Sequence, residues 1–241
     1  MDTTPHPKPT PVHVFVLLDR SGSMEAIRSD VIGGFNQFLA KTQADGVQTD
    51  DGRPLGKARL TLVQFDTQDP HEVVFAGRDV AKVPPLTEAT FVPRAATPLY
   101  DATGCFIARI DRRVAKRKAA GKRPEKIVVV TITDGQENSS VRWSRSMILD
   151  LIEARRAAGW TFVYLSADPS AYADATVIGY DPRSVQQWAP DETGAQLAFT
   201  SLGSGLAALR YALADHRDVD PGDFFAGDKP AEADRRRRYG T

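Results

Sequence analysis

The chain has 241 residues, 41% of them hydrophobic and 26% charged, enough for one large α/β domain with a core of its own. Thirty-one Lys and Arg balance thirty-one Asp and Glu, so no global field favours nucleic acid or an anionic membrane. The single cysteine, Cys105, excludes an intramolecular disulfide framework and reads as a small buried residue.

Residues 1–11 alternate proline with polar residues, at Pro5, Pro7, Pro9 and Pro11, and read as a flexible extended lead-in. The N-terminus carries Lys8 but no apolar core of a signal peptide, and no run approaches the ~20 apolar residues of a membrane span. A cytoplasmic location is the default expectation. Val12 to Leu18 is nearly all apolar, as a central parallel strand buried on both faces should be. Met24, Ile27, Val31, Phe35, Phe38 and Leu39 then recur at helical spacing, with Gly46 as the C-terminal stop. Residues 58–65 read as a second strand. His71 to Val80 reads as a third, antiparallel to the second because the link is so short.

Thr97-Pro98 predicts a helix start, with threonine as N-cap and proline at the first helical position. Ile127 to Ile132 predicts another central strand, closing on Thr133-Asp134-Gly135. A helix over 141–158 follows, then a strand at 160–165, a short helix after Asp168-Pro169, an edge strand at 184–188 and a long helix carrying Ala195 to Leu213. Strands alternating with helices predict an α/β fold: a doubly wound, mostly parallel sheet with one antiparallel edge strand and helices on both faces. The domain is placed at 12–214, and 215–241, with Arg235 to Arg238, reads as a loosely held polar tail.

The stretch Asp19-Arg20-Ser21-Gly22-Ser23 sits at a strand-to-helix turn, so Asp19, Ser21 and Ser23 leave the carboxyl end of the first strand together. Ligands of such sheets lie beyond the carboxyl ends of the strands, at the switch point. Thr97 and Asp134 reach the same edge if the first and fourth strands are neighbours. Two carboxylates and three hydroxyls are hard oxygen donors suited to Mg²⁺, and alternation in Asp-x-Ser-x-Ser puts the three side chains on one side of the turn. The competing account makes the serines and Thr97 ordinary helix caps. Helix N-termini near Ser23 and Thr97 would add positive potential there.

Asp19-x-Ser21-x-Ser23, Thr97-Pro98-Leu99 and Thr133-Asp134-Gly135 together resemble the metal-ion-dependent adhesion site of von Willebrand factor A-type domains. The wording Leu-Leu-Asp-Arg-Ser-Gly-Ser-Met and Thr-Asp-Gly-Gln-Glu-Asn is closest to bacterial stand-alone members. The resemblance spans roughly 12–214 and implies a Rossmann-like sheet with an antiparallel edge strand. It also implies Mg²⁺ or Mn²⁺ on Ser21, Ser23 and Thr97, with Asp19 and Asp134 acting directly or through water. The expected activity is binding of a protein partner whose Asp or Glu completes the metal sphere, with no catalysis. The alternatives are a metal-assisted phosphohydrolase or a scaffold whose site is incidental.

Other signals are weaker. Gly203-Ser204-Gly205-Leu206-Ala207-Ala208 matches a dinucleotide-binding pattern but lies inside a helical stretch, where small residues serve close packing. Nine Lys and Arg between Arg109 and Lys126 read as a solvated helix end. Asp66, Asp69 and Glu137 read as solvated carboxylates on the rim. His71 lacks a companion at ligand spacing, so zinc and histidine catalysis are not expected.

Overall fold

The computed structural model describes residues 8–49 and 51–233. Six strands, β1 (Val12–Asp19), β2 (Ala58–Phe65), β3 (Glu72–Asp79), β4 (Lys126–Thr133), β5 (Thr161–Ser166) and β6 (Val185–Gln187), form one sheet in the order β3-β2-β1-β4-β5-β6. All pairings are parallel except β2 with β3. The helices are α1 (Arg28–Ala44), α2 (Leu99–Ala119), α3 (Arg145–Ala157), α4 (Ala171–Val177) and α5 (Glu192–Ala214). This is a doubly wound, Rossmann-like sheet whose winding reverses between β1 and β4.

Alternation along β1 explains its unbroken apolar run. Val12, Val14, Val16 and Leu18 pack under α1 and α5, while Phe15 and Leu17 pack under α2, α3 and α4. Each fully buried side chain of this size contributes roughly 1.5–3 kcal/mol of transfer free energy. α1 and α5 lie close because Gly34 has no side chain: a Cβ there would stand 2.2 Å from the Phe199 ring. Gly205, from the dinucleotide-like stretch, serves packing too, since a Cβ would stand 2.6 Å from Phe224.

Four expectations change. The first helix opens as a 3-10 turn at Gly22–Ile27, and α1 proper starts only at Arg28. Thr97 is not a helix cap, because α2 starts at Leu99 after Pro98. By length and composition α5 is apolar enough to cross a membrane, with a mean hydropathy of 1.2. It packs against α1 instead, with Phe199, Leu202, Leu206 and Leu209 in the core.

The fourth concerns the ends. Residues 215–233 are not a loose tail: Phe224 and Phe225 join the core. Asp228 accepts hydrogen bonds from Gln186 Nε2 at 3.0 Å and Ser201 Oγ at 2.7 Å. Glu232 is buried and accepts from the Gln187 amide at 3.2 Å. The signal that could have revealed this was Phe224-Phe225 inside an otherwise polar stretch. Of the proline-rich lead-in, residues 8–11 are tied down, the Pro11 carbonyl accepting from the Lys126 amide at 2.8 Å. Residues 1–7 and the Arg235–Arg238 run lie outside the described residues.

Candidate metal centre

β1 pairs directly with β4, Leu18 opposite Ile132, so the two strands deliver Asp19 and Asp134 to one edge. Asp19 is fully buried. Its Oδ1 accepts the Ser21 amide at 2.7 Å and its Oδ2 accepts the Thr133 hydroxyl at 2.6 Å. The hydroxyls of Ser21 and Ser23 are 3.1 Å apart, and Ser23 Oγ donates to Asp134 Oδ1 at 2.8 Å. Ser21 stands at the N-cap position of the 3-10 turn yet makes no side-chain cap bond. The Ser21 hydroxyl therefore turns to Ser23, and the Ser23 hydroxyl to Asp134, rather than to a helix end.

Thr97 is buried and is held through its backbone. Its amide donates to Asn138 Oδ1 at 2.9 Å, and its carbonyl accepts from the Asn138 amide at 3.2 Å. Among the described residues its hydroxyl takes no hydrogen bond. Gly135 lies beside both hydroxyls: a Cβ there would stand at ordinary contact, 3.6 Å from Ser23 Oγ and 3.9 Å from Thr97 Oγ1. All five predicted side chains thus meet at the switch point.

The donor set fits a hard divalent cation. Burial pushes the Asp19 carboxyl up to about 7, against the Thr133 and Ser21 hydrogen bonds that favour its charged form. Burial likewise raises Asp134, and the negative charge of Asp168 adds to it. Carboxylates strained in this way gain from an adjacent positive charge. Among the described residues no three His, Cys, Asp or Glu side chains gather as a ligand cluster. The site instead offers two carboxylates and three hydroxyls, oxygen chemistry of the Mg²⁺ or Mn²⁺ type.

Sequence reasoning missed what holds the two loops together. Asp66 is not a solvated rim carboxylate but is fully buried. Its Oδ2 accepts Arg20 Nε at 2.9 Å and Arg94 Nε at 2.8 Å. Its Oδ1 accepts the amides of Gln68 and Asp69 at 2.6 and 2.8 Å. Burial opposes its charge, but these amides and the two guanidinium groups hold its carboxyl below the usual range. Arg20 lies inside the Asp-x-Ser-x-Ser turn, and Arg94 lies three residues before Thr97. Two backbone bonds run alongside, Arg94 N–H to Arg20 O at 2.8 Å and Gly22 N–H to Ala95 O at 3.0 Å. Between them Ala95 sits at φ +60°, in the left-handed region, a strain of order 1 kcal/mol that the surrounding bonds sustain.

Glu137 also departs from the solvated reading. It caps α2 from outside, accepting the Tyr100 amide at 2.9 Å and the Ser140 hydroxyl at 2.6 Å, while Asp101 N–H donates to Ser140 Oγ at 3.0 Å. The N-terminus of α2 is thus spent on the 135–140 loop rather than aimed at the metal centre. In return Asp101 accepts the amides of 141, 142 and 143, at 3.0, 2.9 and 2.8 Å. Asp69 accepts the His71 amide at 3.0 Å.

At the opposite pole the basic 109–126 segment is partly paired. Nearly buried Glu125 meets Arg113 at 2.6 Å, Arg117 at 3.2 Å and His13 Nδ1 at 3.6 Å. Burial lowers the His13 ring to about 4, although Glu125 pulls the other way. Glu125 is held at about 2 by His13 and Arg113 despite its burial. Lys116, Lys118, Lys122 and Arg123 are exposed, as expected of a solvated helix end.

No family model matches the chain, and no curated protein does. Solved structures do. The pilus adhesin SpaC from Lactobacillus rhamnosus GG, in its open conformation, aligns at 14% identity with a TM-score of 0.57 over 83% of this chain and 30% of its own. The N-terminal domain of TFIIH p34 aligns at 10% identity and 0.50 over 81% of this chain and 98% of its own. Proximal thread matrix protein 1 of the mussel byssus aligns at 15% identity and 0.50 over 84% and 46%. The chain spans less than half the length of the adhesin and the byssus protein. Identities this low establish the shared fold alone.

Proposed function

We propose that the chain is a divalent-metal-dependent protein-binding module. Ser21, Ser23 and Thr97 would hold Mg²⁺ or Mn²⁺, with Asp19 and Asp134 acting directly or through water. The ion supplies an electrophilic position that accepts an Asp or Glu side chain of a protein partner. The observation that carries the reading is the convergence itself. Ser21, Ser23 and Asp134 form a hydrogen-bonded chain, with the unpartnered Thr97 hydroxyl beside it and none of the hydroxyls spent on capping.

The sequence resemblance supports the same reading, as do fold relatives that include a pilus adhesin and a byssus matrix protein. Binding fits better than catalysis. Both oxygens of Asp19 already accept a proton donor from the fold, which suits a carboxylate that anchors rather than attacks. Calorimetry with MnCl₂ tests the site: wild type binds one ion, and Asp19→Ala binds none while retaining its circular dichroism. Partner capture is then expected to vanish in EDTA and return with Mg²⁺. Capture that survives EDTA sinks the proposal.

A further inference from the structure

On the β4–β5 side of the metal centre lies a cavity of about 120 Å³, lined among others by Leu99, Tyr100, Glu137, Tyr164, Asp174 and Ile178. Gln136, two residues beyond Asp134, forms part of its wall. Tyr164 is 1% exposed and its ring is fixed edge-on against Tyr180, centroids 5.1 Å apart. Its hydroxyl nevertheless takes no hydrogen bond among the described residues and borders this cavity. The oxygen is not sealed into the core but stays open, and so is available to a donor on a ligand that enters the cavity.

The charge of the wall selects the ligand. Asp174 accepts the Ser170 hydroxyl and pairs with no Lys or Arg among the described residues. The same holds for Asp134, Glu137 and Asp168 around it, whose partners are hydroxyls and amides. The other flank differs, because Arg20 and Arg94 neutralise Asp66 and Glu72 there. Even with a divalent ion bound and exposed Arg145 acting on Tyr100, the four carboxylates leave the β4–β5 flank with surplus negative charge. Leu99, Ile178 and the Tyr100 ring supply apolar and aromatic surface beside it. A cation with several N–H donors on a slim aliphatic stem satisfies Asp174 and Tyr164 together and lies against that surface. A compact ammonium, with three rotatable donors, can turn them to Asp174 and Tyr164 without the fixed fork geometry a guanidinium requires.

We infer that this cavity is a subsite for a primary ammonium on an alkyl stem, the lysine side chain of a protein partner. That the same partner also gives its carboxylate to the metal rests on the proposed function; the ammonium subsite does not. A partner segment with a lysine close to its metal-binding Asp or Glu is therefore preferred.

The test is a titration of the ¹⁵N-labelled full chain with n-butylammonium chloride and with n-butanol, at matched ionic strength, with and without Mg²⁺. Butylammonium is expected to shift the amides of Gln136, Tyr164 and Asp174 saturably in the millimolar range usual for so small a ligand, with butanol about tenfold weaker. Asp174→Asn removes the preference for the cation. Tyr164→Phe, which keeps the packing, weakens butylammonium several-fold and serves if the first variant misfolds. No saturable shift up to about 100 mM, or equal binding of the two probes, overturns the subsite. A chain that binds butylammonium but no Mg²⁺ refutes the metal reading and leaves the subsite standing. A chain that binds Mg²⁺ without distinguishing the probes does the reverse.

Discussion

Asp66→Ala removes the carboxylate that joins the two loops of the candidate metal centre, and its cost follows from what it leaves behind. The Arg20 side chain is 5% exposed and would keep Gln64 Oε1 at 3.4 Å and Glu72, itself 43% exposed, as partners. Breaking a buried ion pair from one side costs about 3–5 kcal/mol, since an uncompensated charge stays buried. Glu72 still faces Arg20, so the lower end applies, about 3 kcal/mol. Arg94 is 40% exposed and adds less than about 1 kcal/mol, because solvent screens it. For a domain of this size about 3 kcal/mol lowers Tm by roughly 6–12 °C. Arg20→Met alone should cost less, because Asp66 keeps Arg94 and two amide donors. The double variant should therefore be more stable than the sum of the singles implies, by about 2 kcal/mol. Thermal and urea unfolding of the four proteins measure this. A Tm fall under about 3 °C for Asp66→Ala, or strict additivity in the cycle, refutes the clamp. Loosening the loops should also weaken Mn²⁺ binding about 10-fold or more, as losing a group that orients ligands usually does.

Thr133→Val removes the hydroxyl that donates to Asp19 Oδ2 at 2.6 Å while keeping the side-chain shape. Calorimetry should show Mn²⁺ affinity falling about 10-fold with the fold intact, and unchanged affinity would deny that bond a role in orienting Asp19. His13 makes stability pH-dependent: its folded value of about 4 lies below the 6.5 of the free ring, so the unfolded chain binds more protons between these limits. Stability is therefore lost as pH falls from 6.5 to 4, by at most about 3 kcal/mol. Asp19 in the metal-free chain acts with opposite sign, its raised value costing stability as pH rises toward 7. The difference in urea stability between wild type and His13→Gln cancels that contribution, and a pH-independent difference rejects the assignment. Phe225→Ala should cost about 3–5 kcal/mol in urea unfolding, because Phe225 is buried in the core; a cost below about 1 kcal/mol would mean that 215–233 is loosely held after all.

Hydrophobic periodicity alone determined the order and type of the main elements. A continuous apolar run such as Val12 to Leu18 suits only a strand covered on both faces, and the 3.6-residue spacing in α1 and α5 suits only helices with one covered side. The five oxygen-bearing residues were legible because strand ends and turns are local features, and the alternating topology sends them to one edge.

Tertiary structure decided what each side chain does there. Local sequence makes Thr97 a helix cap, but Asn138, 41 positions away, holds its backbone, and Glu137 caps the helix instead. Asp66 and Glu137 look like loop carboxylates until partners 28 to 46 residues distant bury or occupy them. The same holds at the C-terminal end, where Phe224 and Phe225 find their place only once α5 and β6 present a surface. Burial and pairing depend on neighbours remote in the chain, and no local pattern encodes them.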